Sequence, residues 1–294
     1  MTDNTVFVNN VKLSELSSMK TGGLAEKCCF PEDEKQLISC IHALKSEKRE
    51  YIVLGNMSNV LIPDGNIDFV PVVTTKMTKV EKTFDGNGKL HVYAFCGVKL
   101  TKLAFEICDM GYSGAQFAYG IPGTVGGAVF MNAGAYGSEI KEIAEFVDFY
   151  DAEKDEIIRI DKKDCGFGYR TSAFQEKKGV ILGASFVFEK GDREEIMKEA
   201  KETMQKRVDK QPLEYPSCGS AFKRPEGYFA GKLIEDCGLK GISVGGAQIS
   251  EKHAGFIINK GGATTKDVKE LIELVQKEVK EKFDIELVPE IRIL

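Results

Sequence analysis

YGIPGTVGGAVFMNAGAYG (119–137) places Gly120, Gly123, Gly126, Gly127, Gly134 and Gly137 within one short stretch. So many glycines weaken a helix or strand that only fills a core, whereas they let a backbone adopt positive φ and come close to a ligand. The segment reads as a ligand-lining loop rich in N–H donors. Its spacing, G-x-x-G-x-x-G-G, is not the G-x-G-x-x-G dinucleotide fingerprint. GYFAGKL (227–233) is no Walker A loop either, because it has one residue too few between its glycines and no Ser or Thr after Lys232. Kinase and ATPase chemistry is thereby set aside.

Upstream, PEDEKQLISCIHALKSEKR (31–49) puts Leu37, Ile38, Ile41 and Leu44 on one face, with acids early and bases late, and predicts an amphipathic helix. The apolar run YIVL (51–54) predicts a strand and leads into GNMSN (55–59). Small residues after a strand can present N–H groups to phosphate oxygens, with Asn56, Ser58 and Asn59 adding donors; the plain alternative is a β-turn. FVPVV (69–73) and LHVYAFCG (90–97) predict further strands, and KLTKLAFEICDMG (99–111) a helix carrying Leu100, Leu103, Ala104 and Ile107 inward, capped by Gly111. Downstream, EFVDFYD, EIIRI and VILGASFVF predict strands up to Gly191; a helix follows with Met197, Ala200 and Met204 on one face, stopped by Pro212. A last helix begins near Thr265, and IELVPEIRIL (285–294) is strand-like. The pattern is α+β, with a domain boundary expected near Gly191: 1–190, itself divided at about 73/74, and 191–294.

A chain of 294 residues with net charge −5 offers no general attraction for nucleic acid or an anionic membrane surface. No apolar run approaches the ~18 residues of a membrane span, and the opening MTDNTVFVNNVKLSEL lacks the marks of a secretion signal, so a cytoplasmic location is expected. The 8 cysteines are scattered without a C-x-x-C pair, which favours reduced, buried thiols. His42, His91 and His253 show no metal-ligand spacing, so no metal is expected, and no histidine stands near Cys218 in sequence to activate it as a nucleophile.

Three further segments carry chemistry-bearing side chains. In CGFGYRTSAF (165–174), Arg170 beside Tyr169 offers a guanidinium fork for a carboxylate or phosphate, or makes an ordinary surface ion pair. In EYPSCGSAFKRP (214–225), Ser220 follows Gly219 and precedes Lys223 and Arg224; it is no G-x-S-x-G elbow, because Cys218 stands two residues before it. Glu290 lies in an otherwise apolar terminus, where a carboxylate faces either solvent or a cleft.

GNMSNVL, GIPGTVGGAVFMNAGAYG, GYRTSAF, QPLEYPSCGSAFKRP, HAGFIINKGGAT and PEIRIL, in that order and over nearly the whole chain, closely resemble the UDP-N-acetylenolpyruvoylglucosamine reductase family, flavin enzymes that make UDP-N-acetylmuramate for bacterial peptidoglycan. The resemblance implies an FAD-binding domain of the vanillyl-alcohol-oxidase type, made of two α+β subdomains, followed by a C-terminal α+β substrate-binding domain. It implies that Gly55, Asn56, Ser58 and Asn59 cradle the FAD pyrophosphate, with Val60 among the cofactor contacts. Ile121, Gly123, Thr124, Gly126 and Gly127, then Asn132, Gly134, Ala135 and Tyr136, would line the flavin. The family usually has glycine where Met57 stands, so that residue must tolerate the turn's backbone angles. The span from Arg170 to Ser220 carries no insertion like the tyrosine loop of one branch, which leaves Tyr215 and 227–229 to cover the sugar nucleotide.

The implied reaction reduces the enolpyruvyl ether of UDP-N-acetylglucosamine enolpyruvate, with NADPH loading FAD and hydride passing from the flavin to C3. Arg170 would stabilise charge developing toward C2 and the carboxylate, Glu290 would hydrogen-bond the enolate, and Ser220 would protonate C2. Tyr169, Lys223 and Arg224 would bind substrate, Arg224 at the UDP pyrophosphate. No protein, nucleic-acid or membrane partner is implied. Two other readings stay open: another flavin oxidoreductase or oxidase on the same scaffold, though no histidine for flavin tethering lies in either Gly-rich segment, and a nucleotide-sugar-binding module without catalysis, which would have lost Arg170, Ser220 or Glu290.

Overall fold

Leu37, Cys40, Ile41 and Leu44 are the buried face of a helix at Glu34–Ser46 in the computed structural model, which describes residues 6–294. Asp33 caps it by accepting the Gln36 N–H at 2.8 Å, satisfying one of the donors that every helix start leaves over. The next strand, Tyr51–Leu54, pairs in parallel with Val70–Val73, from Tyr51 opposite Val70 to Leu54 opposite Val73. Cys29, ending the strand Leu24–Cys29, pairs with Val72 on the other side. Val70–Val73 is buried at every position, as a central parallel strand requires. Cys29 is also disulfide-bonded to Cys40, which corrects the expectation of reduced thiols throughout. Packing of the helix beside that strand brings together two sulfurs that no local spacing marks.

Next comes an antiparallel sheet ordered Glu156–Asp161, Ala144–Asp151, Gly179–Lys190, Leu90–Phe95, Val80–Phe84, with Tyr112–Ser113 added at one end of Gly179–Lys190. Leu90–Phe95 alternates buried and half-buried side chains, the period of two expected of a strand with one face in the core. The helix Leu100–Asp109 buries Leu100, Leu103, Ala104, Ile107 and Cys108, and Gly111 follows at φ +78°.

The chain divides into two compact units, and not by a single cut near Gly191. The first comprises 1–8, 28–56 and 69–206, the second 9–27, 57–68 and 207–294. The helix Arg193–Lys210 runs on past the expected boundary. Two N-terminal segments join the second unit because their hydrogen bonds end there. Val60–Leu61 pairs in parallel with Arg292–Ile293, the Asn259 side chain donates to the Met19 carbonyl, and the Thr265 hydroxyl donates to the Ile62 carbonyl. The second unit has its own antiparallel sheet, ordered Ser217–Ser220, Phe256–Asn259, Ala247–Ile249, Ser243–Val244. Its helix Thr265–Phe283 starts with a capping box between Thr264 and Asp267 and buries Val268, Leu271, Ile272, Val275 and Val279. Of the strand-like terminus only Arg292–Ile293 is a strand. Among the described residues no helix is long and apolar enough to cross a membrane.

On the antiparallel sheet of the first unit, His91 Nδ1 lies 3.0 Å from Glu145 and Nε2 lies 3.8 Å from Asp85. The hydrogen bond to Glu145, helped by both carboxylate charges, raises the imidazole above its ordinary 6.5. A raised folded-state value means that the stabilisation is complete below the ordinary value and disappears as pH climbs through the raised one. The melting temperature of His91→Gln should therefore fall below that of the parent at pH 5.5 and converge with it at high pH. An equal gap at both ends would remove His91 as the source.

Candidate active site

Gly55 and Asn56 follow the carboxyl end of the parallel strand Tyr51–Leu54, the end at which open α/β sheets hold ligands. A Cβ on Gly55 would lie 2.4 Å from Thr124 Oγ1, so only glycine lets the loop after the strand meet the glycine-rich segment. Thr124 is buried and its hydroxyl faces the Gly127 N–H at 3.5 Å, capping the short helix Val125–Phe130. Gly123 sits at φ +139°, a backbone state that side chains disfavour, and its carbonyl accepts the Leu100 N–H. Gly127 is exposed, and a Cβ there would meet nothing closer than 3.6 Å. Bare backbone on an open face is what close approach of a large cofactor needs, so the segment fits FAD.

Within that segment Asn132 differs from expectation. It is fully buried, donating from Nδ2 to the Gly168 carbonyl at 2.8 Å and to Glu139 at 3.0 Å, while Oδ1 accepts the Lys141 N–H at 2.9 Å. With its amide engaged by the protein, the Asn132 side chain holds the loop in place. Through Gly168 it anchors the turn that carries Arg170. Arg170 stands at φ +54°, and its Nη2 donates to the Gly134 carbonyl at 3.0 Å with the Tyr169 ring 5.3 Å from the guanidinium carbon. The guanidinium thus lies against the glycine-rich loop. Tyr136 and Tyr169 are both half exposed, and Ile121, Ala135 and Gly126 complete the same loop surface or its support.

In the second unit the loop continues at Met57, which is buried at φ +50°, so methionine does occupy the left-handed turn conformation. Asn59 donates from Nδ2 to the Glu290 carbonyl at 3.1 Å, and its own carbonyl accepts the Arg292 N–H at 3.0 Å. Val60 pairs with Arg292. Ser58 is half-buried beside them. Arg292 is a residue that sequence reading does not single out, because its tie to Asn59 is made by backbone atoms and has no local pattern.

Glu290 donates its N–H to the Ala221 carbonyl at 2.8 Å, and Lys223 donates its N–H to Val288 at 2.8 Å, so the 288–290 segment runs antiparallel to 221–223. This pairing sets Glu290 opposite Ala221, the residue after Ser220. Between Ser217, opposite Ile258, and Ser220, opposite Phe256, the register slips by one residue, with Gly219 at φ +77°. That bulge turns Ser220 out of the alternation a regular strand would impose. Cys218 is buried, its thiol donating to the Val60 carbonyl, and burial pushes it up to about 12, so it is no nucleophile. Arg224 lies exposed, 4.0 Å from the Phe229 ring, and donates from Nε to the Tyr228 carbonyl. Tyr215 accepts from Lys260 at 2.8 Å.

Residues 211–294 match the family model described as UDP-N-acetylenolpyruvoylglucosamine reductase, C-terminal domain, and residues 25–160 match the FAD binding domain model. A UDP-N-acetylenolpyruvoylglucosamine reductase of Caldicellulosiruptor bescii is 47% identical over 290 residues, covering 98% of this chain and 90% of its own. One from Clostridium botulinum is 43% identical, covering 99% and 93%. The chain belongs to the UDP-N-acetylenolpyruvoylglucosamine reductase family. The crystal structure of the Thermus caldophilus reductase superposes with a TM-score of 0.81 at 32% identity, covering 97% of this chain and 98% of that one. The family's C-terminal domain begins within the second unit's last segment, after the helix that crosses the expected boundary.

Asn132→Ala would leave the Lys141 N–H and the Gly168 carbonyl without their partner. Unfolding in urea should show a loss of about 2–4 kcal/mol for these unpaired buried groups. A loss below about 1 kcal/mol would mean that the buried amide does not anchor the loop.

Proposed function

We propose that Arg170, Ser220 and Glu290 carry out the reaction of this reductase family, the FAD-dependent, NADPH-driven reduction of UDP-N-acetylglucosamine enolpyruvate to UDP-N-acetylmuramate in peptidoglycan precursor synthesis. Gly55, Asn56, Ser58, Asn59 and the backbone of 121–127 would hold the cofactor. Bound FAD would supply the hydride chemistry that no side chain possesses, with NADPH as the source of the hydride and C3 of the enolpyruvyl group as its destination.

Arg170 faces the charge that develops toward C2 and the substrate carboxylate. Its guanidinium stays cationic throughout, and the bond to the Gly134 carbonyl holds it in place before substrate arrives, so little reorganisation is needed in the transition state. Ser220 gives its hydroxyl proton to C2, completing addition of hydride and proton across the double bond. The resulting alkoxide regains a proton from solvent. Glu290, held beside Ala221 through its backbone, hydrogen-bonds the developing enolate. Lys223 and Arg224 serve the anionic end of the nucleotide, Arg224 at the pyrophosphate, with Tyr169 against the sugar. The absence of an inserted tyrosine loop between Gly179–Lys190 and Arg193–Lys210 supports assigning the chain to the branch without one. The observation that supports the reading is the bulge at Gly219, which takes Ser220 out of the regular alternation of its strand.

In stopped-flow experiments Ser220→Ala should be reduced by NADPH at the parent's rate, while reoxidation by the enolpyruvyl nucleotide slows by roughly 10²-fold or more. Unimpaired reoxidation would exclude Ser220 as the donor. Flavin colour that returned only with oxygen would contradict the reductase reading itself.

A further inference from the structure

We propose that His253 is a positioning residue for the reduction of substrate: its imidazole fixes the backbone to which the segments carrying Ser220 and Glu290 are pinned. The proposal rests on Ser220 and Glu290 acting as described above.

His253 stands in the loop between the strands Ala247–Ile249 and Phe256–Asn259 of the second unit. Two successive backbone donors end on it. Its Nδ1 accepts the Gly255 N–H at 3.0 Å, and its own carbonyl accepts the Phe256 N–H at 3.0 Å. Phe256 is the residue opposite Ser220, and the Gly255 carbonyl accepts the Ala221 N–H at 2.8 Å. The Ala221 carbonyl in turn accepts the Glu290 N–H at 2.8 Å. A continuous series of bonds thus runs from the imidazole through Gly255 and Ala221 to Glu290. It passes next to the bulge at Gly219, where the pairing of Ser217–Ser220 with its neighbour is irregular and fixes the backbone least.

The imidazole is itself held. A Cβ on Gly231, in the helix Ala230–Asp236, would stand 3.1 Å from its Cε1, and one on Gly255 would stand 2.9 Å from the same atom, so bare backbone of two elements crowds the ring. The Phe256 ring meets it edge-on with centroids 4.9 Å apart, and the buried Ser250 hydroxyl accepts the His253 N–H at 3.2 Å. Because Nδ1 accepts, the ring proton of the neutral form is on Nε2. A protonated imidazole donates from both nitrogens and would set one N–H against another at Gly255. Burial lowers the imidazole below its ordinary 6.5, which keeps Nδ1 an acceptor until the solution is more acid than that. Lys240 and Glu235 act on the ring with opposite sign and pair with each other at 2.8 Å. Lys232 and Asp236, on the same helix as Glu235, pair at 2.7 Å, and Glu251 and Lys252 on the loop itself are exposed. Phe256–Asn259 has no ionisable side chain, and the only one in Ser217–Ser220 is the Cys218 thiol, which donates to Val60.

Stopped-flow measurement of both half-reactions of the holoenzyme across about pH 5 to 8 tests the assignment. Asparagine presents a carbonyl oxygen in the role of Nδ1 and does not titrate. Reoxidation of the parent by the enolpyruvyl nucleotide should fall along an acid limb below the ordinary 6.5, in rate constant and not in substrate affinity. His253→Asn should reoxidise near the parent's neutral rate without that limb. His253→Phe should reoxidise about 10-fold or more slowly at every pH, the scale of a displaced reacting group, while NADPH reduces its flavin at the parent's rate. A parent without the limb, the same limb in His253→Asn, or His253→Phe at the parent's rate would each overturn the role of His253. Should His253→Phe not fold, the parent and His253→Asn decide by the limb alone. Ser220→Ala measured alongside separates this proposal from the reading beneath it: slow reoxidation there with an unaffected His253→Phe removes His253 only, whereas unimpaired Ser220→Ala removes both.

Discussion

The backbone between Gly55 and Asn59 has to meet two demands in one turn. At Gly55 it must pass so near Thr124 that a single added carbon would collide with the threonine hydroxyl. At Asn59 it must present both side chain and carbonyl to the chain's last residues, where Glu290 and Arg292 take them up. Met57, between them, is driven into the left-handed region at φ +50°, a conformation costing a non-glycine residue roughly 1–2 kcal/mol. Its side chain is buried, which offsets that strain through removal of apolar surface from water. The chain changes from the first unit to the second inside this turn, between Asn56 and Met57.

Polar groups elsewhere in the site are used to hold backbone in place. Asn132 engages the Gly168 carbonyl, Glu139 and the Lys141 N–H from a fully buried position, and the Ser172 hydroxyl donates to the Phe130 carbonyl at 2.7 Å. These bonds tie the turn around Arg170 to the glycine-rich loop, and Arg170 adds its own bond to Gly134. A loop with so many glycines has high conformational entropy when unfolded, and such cross-links are what restrict it. In the second unit the same economy appears as a β-bulge. One left-handed glycine before Ser220 takes up an extra residue between Ser217, opposite Ile258, and Ser220, opposite Phe256.

The helices were legible because burial on a helix follows a period that residues nearby in sequence reveal. Leu37 and Ile41, Leu100 and Leu103, and Val268 and Leu271 all face inward as their spacing requires. The terminal run IELVPEIRIL was less legible: its apolar residues meet the second unit singly at Leu287 and Ile291, and Pro289 has no N–H for a ladder. The partners of the Asn132 amide were hidden for a related reason. Its place in a glycine-rich motif suggested ligand contact, but an amide's partners are chosen by whatever backbone lies nearby in space. Likewise Cys29 and Cys40 meet only because a helix folds back over its preceding strand.

By itself, the sequence determined the α+β class, the two Gly-rich loops and the ordered set of motifs that marks the family, since each depends on residue type and short spacing. Tertiary structure alone decided that segments 9–27 and 57–68 belong with the C-terminal unit, that Glu290 lies opposite Ala221, and that a cavity opens beside the glycine-rich loop. Those facts depend on hydrogen bonds between residues up to 240 positions apart, as Met19 and Asn259 are. Such pairings depend on the folded geometry of the whole chain, which leaves no periodic trace along it.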